Sequence, residues 1–134
     1  MRFFVDENIP AALSKVLHYL SATLPGSHSV HHATEIFERG TPDVVWIENL
    51  SKDGDWVIIS KDRFKKGDPE ILAYKQANIT TLFLDKEWNK NSYEQTIRIS
   101  NKWQQIIETI GNQKHPYLWE IPWRSRKQMI RKNI

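Results

Sequence analysis

Short apolar runs alternating with amphipathic stretches predict an α/β domain built on a mainly parallel sheet. Three observations carry this expectation. Arg2 to Val5 is a β-rich apolar run that ends at Asp6-Glu7-Asn8 and passes into a helical stripe. Trp56-Val57-Ile58-Ile59-Ser60 is continuously apolar up to its serine, the pattern of a strand covered on both faces. The order strand then helix repeats to about Gly111, with no internal repeat, low-complexity segment or linker.

Each element has its own justification. After the first run, Pro10 suits the first turn of a helix, and Ile9, Leu13, Val16, Leu17 and Leu20 recur at helical spacing. Pro25-Gly26 marks a turn, and Ser29 to Ala33 is a weak second strand. Thr41-Pro42-Asp43 opens a helix whose body is Val44 to Ser51. Asp68-Pro69-Glu70 opens another, running to about Ala77, and Ile79 to Leu84 is a fourth strand. Ser92 with Gln95 reads as a capping box. Behind it Ile99, Trp103, Ile106, Ile107 and Ile110 share one face, and Gly111 is expected to end the helix. Tyr117 to Trp123 is a candidate fifth strand, so the sheet has four or five strands. Residues 1–113 form the domain on this reading, and residues 114–134 a basic extension.

The 134-residue chain, 40% hydrophobic and 26% charged, has the composition of an ordinary globular protein. It holds no apolar run long enough for a membrane helix and no leader pattern at its start. With no cysteine, disulfides and thiolate metal sites are excluded, and the cytoplasm is the expected compartment. Charge is uneven. Residues 114–134 carry six basic residues against Glu120, a net of +5, while residues 1–113 carry thirteen basic and fifteen acidic, a net of −2. An acidic body with a basic tail suits a polyanion ligand combined with a separate acidic site.

In a parallel sheet the working edge lies beyond the carboxyl ends of the strands. That rule selects Asp6 and Glu7 after the first strand, Asp62 after the third, and Asp85 after the fourth, and it sends Asp53 and Asp55 to the opposite edge. Asp43 heads the stripe Trp46, Ile47, Leu50, which aims its carboxylate along the sheet surface. An ordinary first-turn acid favoured by the helix dipole fits the same spacing. Glu70 repeats the pattern with Ala73, Tyr74 and Ala77. Converging carboxylates repel one another until they bind protons or a cation, and hard ions such as Mg²⁺ or Mn²⁺ take oxygen ligands of this kind. Such an ion activates water and offsets charge on a phosphodiester under attack. The histidines lack metal-ligand spacing: His31 and His32 point to opposite faces of a strand, and His18 and His28 have no matching partner. No glycine-rich phosphate loop and no nucleophile elbow is present. Trp119 and Trp123 in the tail are candidates for stacking on bases, whereas the other tryptophans read as core.

The segments FFVDENIPAALSKVL, FERGTPDVVWIENL and WVIISKDRFKKGDPEI resemble the compact PIN-like family, whose members include VapC-like toxin ribonucleases of bacterial toxin–antitoxin pairs. The likeness covers about Arg2 to Leu84 and lies in order and spacing: an acid after the first strand, an acid opening a helix, then strand, Ser/Thr, Lys, Asp. It implies a three-layer fold, Mg²⁺ or Mn²⁺, and endonucleolytic cleavage of RNA. Asp6, Asp43 and Asp62 match the family's catalytic and metal-binding aspartates, and Glu70 a position where some relatives also carry Glu. Lys61, Arg63, Lys65 and Lys66 then become RNA contacts, together with Trp123, Arg124, Arg126 and Lys127 of the tail. A cognate antitoxin is the implied protein partner, and a homodimer is left open. The chain departs from larger PIN domains in lacking their helical insertion between the first two strands and the Glu it carries.

Two other readings remain. A catalytically inactive PIN-like RNA-binding or interaction module would keep the fold without turnover. A receiver-type phosphoacceptor domain would also use Asp6, Glu7, Lys61 and Asp62, but it separates its Lys and Asp by a further strand and helix, and here they are neighbours.

Overall fold

The computed structural model describes residues 1–61 and 69–132, with side chains from residue 72 onward in the second stretch. In chain order the strands are β1 (Arg2–Val5), β2 (Ser29–His32), β3 (Trp56–Ser60), β4 (Thr80–Leu84), β5 (Leu118–Ile121) and β6 (Ile130–Lys132). The helices are α1 (Ala11–Ser21), α2 (Ala33–Ile36), α3 (Asp43–Asp53), α4 (Pro69–Ala77) and α5 (Ser92–Asn112), with a 3₁₀ turn at Lys86–Trp88. The strands form one sheet in the order β2-β1-β3-β4-β5-β6, parallel throughout except for the antiparallel β5–β6 pair. The α/β three-layer expectation holds.

Alternating side chains of the central strands feed two cores, as the pleat requires. Phe3, Val5, Val57, Ile59, Leu82 and Leu84 pack with α1 and α5 through Leu13, Leu17, Ile99, Trp103 and Ile106. Phe4, Trp56, Ile58 and Phe83 pack with α3 and α4 through Trp46, Ile47, Leu50 and Tyr74. Trp103 illustrates the fit. It is fully buried, its ring lies 4.7 Å from Phe3, and its indole N–H donates to the Ser21 hydroxyl at 2.8 Å.

Several boundaries differ from the sequence reading, each for a local reason. β2 stops at His32, whose Nδ1 accepts the Thr34 N–H and starts the short helix α2. The cap of α5 is Asn91 rather than Ser92: its Oδ1 accepts the Glu94 N–H at 2.8 Å and its Nδ2 donates to the Glu94 carboxylate. Gly111 does not stop α5, which continues to Asn112 because buried Ile107 and Ile110 hold the last turn against the core. Beyond Gln113 the same sheet continues. β5 pairs with β4, and β6, which lies in the segment expected to be a basic extension, pairs antiparallel with β5, with a Lys132–Glu120 ion pair at 2.9 Å across the two strands. Among the described residues no helix is long and apolar enough to cross a membrane.

Candidate active site

β1 and β3 are adjacent and end together, with Val5 opposite Ile59. Asp6 prolongs that ladder, its N–H donating to the Ile59 carbonyl at 3.0 Å. Its backbone therefore belongs to the sheet while its carboxylate stands at the carboxyl edge, only 3% exposed. Oδ1 accepts the Asn8 N–H at 2.7 Å, and Oδ2 accepts the Ser60 hydroxyl at 3.0 Å and the Lys61 N–H at 3.3 Å. All three donors are neutral. Burial raises the Asp6 carboxyl above its ordinary value, the three hydrogen bonds pull it back only in part, and the nearby charge of Asp43 adds to the rise.

Asp43 reaches this point as the first residue of α3, half-buried, with Oδ1 accepting the Trp46 indole N–H at 3.1 Å. That donor is fixed in place: Trp46 is 4% exposed and packs 4.8 Å from the Phe4 ring and 6.1 Å from Tyr74. The Tyr74 hydroxyl in turn approaches the Ser60 hydroxyl at 3.4 Å. Asp6 and Asp43 are thus tied to the same aromatic core. The sequence places Trp46 three residues after Asp43, and that spacing is the signal by which the indole donor could have been found.

The oxygen-only donor set, the neutral partners of Asp6 and the mutual repulsion with Asp43 fit a hard divalent cation. Asp6 and Asp43 would hold it. Among the described residues no three acidic or histidine side chains converge on one metal position. Asp62 lies outside the described residues, as do Arg63, Lys65 and Lys66. Glu70 falls in the first turn of α4, and Lys61 follows β3 with its N–H on Asp6.

The remaining candidates sit elsewhere. Asp85, at the end of β4, accepts the Glu87 N–H at 2.9 Å and faces Glu120, not Asp6. Burial and the hydrogen bond with Glu120 raise its carboxyl. Asp53 and Asp55 lie at the amino edge beside β3. There Asp53 accepts from Trp56 Nε1 at 2.7 Å and Arg2 Nη1 at 3.0 Å, which hold its carboxyl below the ordinary range. His32 is buried against the Ile9 carbonyl, and His18 accepts the Val30 N–H, so both have structural partners. Trp123 lies edge-on to Trp88 at 4.9 Å, and Arg98 stacks 4.4 Å over its ring. Arg124, Arg126 and Lys127 are exposed, while the Arg124 and Lys127 carbonyls turn inward to buried Lys102 at 2.6 and 3.2 Å. A concavity of about 460 Å³ lies at the amino edge, lined in part by Gly54, Asn78 and Pro116. It lies at the opposite edge of the sheet from Asp6, and neither Asp6 nor Asp43 lines it.

A family model described as a PIN like domain matches residues 1–86. The chain belongs to the PIN-like domain family. Comparison with curated proteins and with solved structures finds no match. PIN domains are in general nucleases and typically use divalent metal ions. In this PIN-like domain Asp6 and Asp43 stand where the carboxyl edge of the sheet meets the first turn of α3, and β5 and β6 extend the sheet beyond the matched segment.

Proposed function

We propose that this PIN-like domain is a metal-dependent endoribonuclease that hydrolyses RNA phosphodiesters, acting as the toxin of a toxin–antitoxin pair. The observation that carries the reading is the buried Asp6 carboxylate, raised by burial and further by the charge of Asp43, and bound among the described residues by neutral donors. Such a pair is unfavourable by itself and becomes favourable when a cation lies between its members.

In this mechanism Asp6, Asp43 and Asp62 would hold Mg²⁺ or Mn²⁺, and Glu70 would supply a further oxygen ligand. The ion, when bound, activates water and offsets charge on the phosphodiester. The chain's own part is placement. The Asn8, Ser60 and Lys61 donors fix the Asp6 oxygens, and the Trp46 indole fixes one oxygen of Asp43, so little rearrangement is needed on binding. Lys61, Arg63, Lys65 and Lys66, which flank Asp62 in the sequence, and Trp123, Arg124, Arg126 and Lys127 in the tail, take the RNA backbone as cationic and stacking contacts. The antitoxin is the partner this reading carries.

The test is cleavage of single-stranded RNA by the purified protein with Mn²⁺ and with EDTA, in the wild type and in Asp6→Asn and Asp62→Asn. Cleavage that requires Mn²⁺ and disappears in both variants is expected. A wild type that binds RNA without cutting it under any metal would replace this reading with the inactive binding module.

A further inference from the structure

Asp43 must stay beside Asp6 although the two charges repel. The Trp46 indole holds one oxygen of Asp43 from within α3, and the packing of Trp46 on Phe4 seats the body of that helix against β1, but neither contact ties down the loop that leads into it. The loop that delivers α3 is residues 37–42, between α2 and α3, and it has no regular structure of its own. Thr41 folds back within it, its N–H and hydroxyl both donating to the Glu38 carbonyl. One hydrogen-bonded link joins this loop to the 6–10 loop among the described residues: the Gly40 N–H donates to Glu7 Oε1 at 3.1 Å and Oε2 at 3.2 Å. Glu7 is the residue after Asp6, and Gly40 is three residues before Asp43. Gly40 has φ +78°, a left-handed backbone that aims its N–H at the carboxylate and that a side chain would strain.

We propose that Glu7 is a positioning residue, whose grip on the Gly40 amide sets the place of Asp43 relative to Asp6. The inference rests on the reading of these aspartates as a cation site. Its force comes from geometry: Asp6 ends the β1 ladder and Asp43 opens α3, and Glu7 fastens the loop that follows the first to the loop that precedes the second, one residue from Asp6 and three from Asp43. Glu7 itself touches neither the cation nor the RNA in this scheme. It acts through the loop, as the outer partners of metal ligands do.

Tb³⁺, an oxygen-seeking ion with luminescence sensitised by a neighbouring indole, serves as the probe, with Trp46 as antenna. Sensitised emission is titrated in the full-length wild type, Glu7→Ala, Glu7→Gln and Asp43→Asn, and amide and indole exchange is followed in the metal-free proteins. Outer partners of a metal site typically contribute about 10- to 100-fold in affinity. Glu7→Ala is therefore expected to weaken Tb³⁺ binding by about tenfold or more. It should also speed exchange of both the Gly40 amide and the Trp46 indole N–H. Glu7→Gln keeps an acceptor and should restore most of the affinity and the slow exchange. Loss of Tb³⁺ binding in Glu7→Gln equal to that in Glu7→Ala, with exchange unchanged in both, would make Glu7 a direct ligand and overturn the proposal. Unchanged affinity and exchange in Glu7→Ala would overturn it as well. A wild type that gives no Tb³⁺ signal, yet shows exchange coupled to Glu7, removes the cation reading and leaves the positioning role standing.

Discussion

Replacing Asp6 by Asn separates a binding role from a structural one, and the structure sets the size of the effect. The Asn carbonyl can keep the 2.7 Å bond from Asn8, which turns the amide toward Ser60 and Lys61. The Ser60 hydroxyl can rotate to accept, but the Lys61 N–H loses its acceptor. A buried donor left unpaired costs about 1–3 kcal/mol, and the half-buried 3.3 Å bond belongs near 1. Against this, Asn carries no charge, so the burial penalty and the repulsion from Asp43 disappear. The two effects oppose each other, and the metal-free variant should lie within about 1 kcal/mol of the wild type. For a chain of this size that is about 3–5 °C in melting temperature.

Metal changes the balance. A ligand at about 100 times its dissociation constant stabilises the folded protein by about 2.7 kcal/mol, which corresponds to roughly 8–13 °C here. Wild type should gain that increment with saturating Mn²⁺, and Asp6→Asn should gain almost none, as read by thermal melts in Mn²⁺ and in EDTA. The pH dependence has a definite sign. The folded Asp6 carboxyl lies above its ordinary 3.8, so the folded state binds this proton more tightly than the unfolded state. Metal-free wild type should therefore gain stability relative to Asp6→Asn as pH falls from neutral toward 4, and saturating Mn²⁺ should abolish that difference. An Asp6→Asn protein that melts more than about 10 °C lower in EDTA while keeping the full Mn²⁺ increment would refute the argument, and would mark Asp6 as a structural acceptor.

Asp53→Asn at the far edge should leave the Mn²⁺ increment intact. Asp53 is held below its ordinary range, so its stabilising effect is present above about pH 4 and is lost as pH falls through its folded value, and the melting curves of variant and wild type should converge in acid. Ser21→Ala leaves the buried Trp103 indole N–H without its 2.8 Å acceptor and should cost about 1–3 kcal/mol in denaturant unfolding, with no change in metal response. Arg124→Ala, Arg126→Ala and Lys127→Ala combined should leave the melting temperature unchanged, because these side chains are exposed. The combination should flatten the log–log salt dependence of single-stranded RNA binding by about 0.7 for each phosphate contact removed. An unchanged slope would remove the tail from the RNA surface. These substitutions are a cleaner test than ending the chain after Gln113, which would strip β5 and β6 from the sheet.

The parts of the fold legible in the sequence are those whose pattern is local. β1 and β3 announce themselves by apolar runs, and the stripe of α5 by its spacing, because burial of whole faces leaves a periodic trace. β6 leaves no such trace. Ile130-Arg131-Lys132 becomes a strand through β5, with Lys132 paired to Glu120 and Arg131 4.7 Å over the Tyr117 ring. The cover that Arg98 gives Trp123 spans 25 residues of sequence and is equally invisible to any local pattern. At the candidate site, the end of β1 points to Asp6, and the stripe points to Asp43. The contacts around them are harder to see, since the Ser60 hydroxyl reaches Asp6 across 54 residues and the Gly40 amide reaches Glu7, the neighbour of Asp6, across 33.

What joins site and fold is the aromatic cluster between the sheet and helices α3 and α4. Trp46 packs on Phe4, a β1 residue two positions before Asp6, and its indole nitrogen fixes Asp43. Tyr74 packs on Trp46 and Phe83, and its hydroxyl approaches the Ser60 hydroxyl that donates to Asp6. The two carboxylates are therefore positioned by side chains that are themselves core, with rotamers locked by close packing. Preorganisation of this kind keeps like charges together before any cation arrives, and its cost is carried by the burial of Phe4, Trp46, Ile58, Tyr74 and Phe83. Conservative changes inside the cluster that preserve packing but delete the indole nitrogen are for this reason changes to the site, although none of the atoms removed lies at the surface.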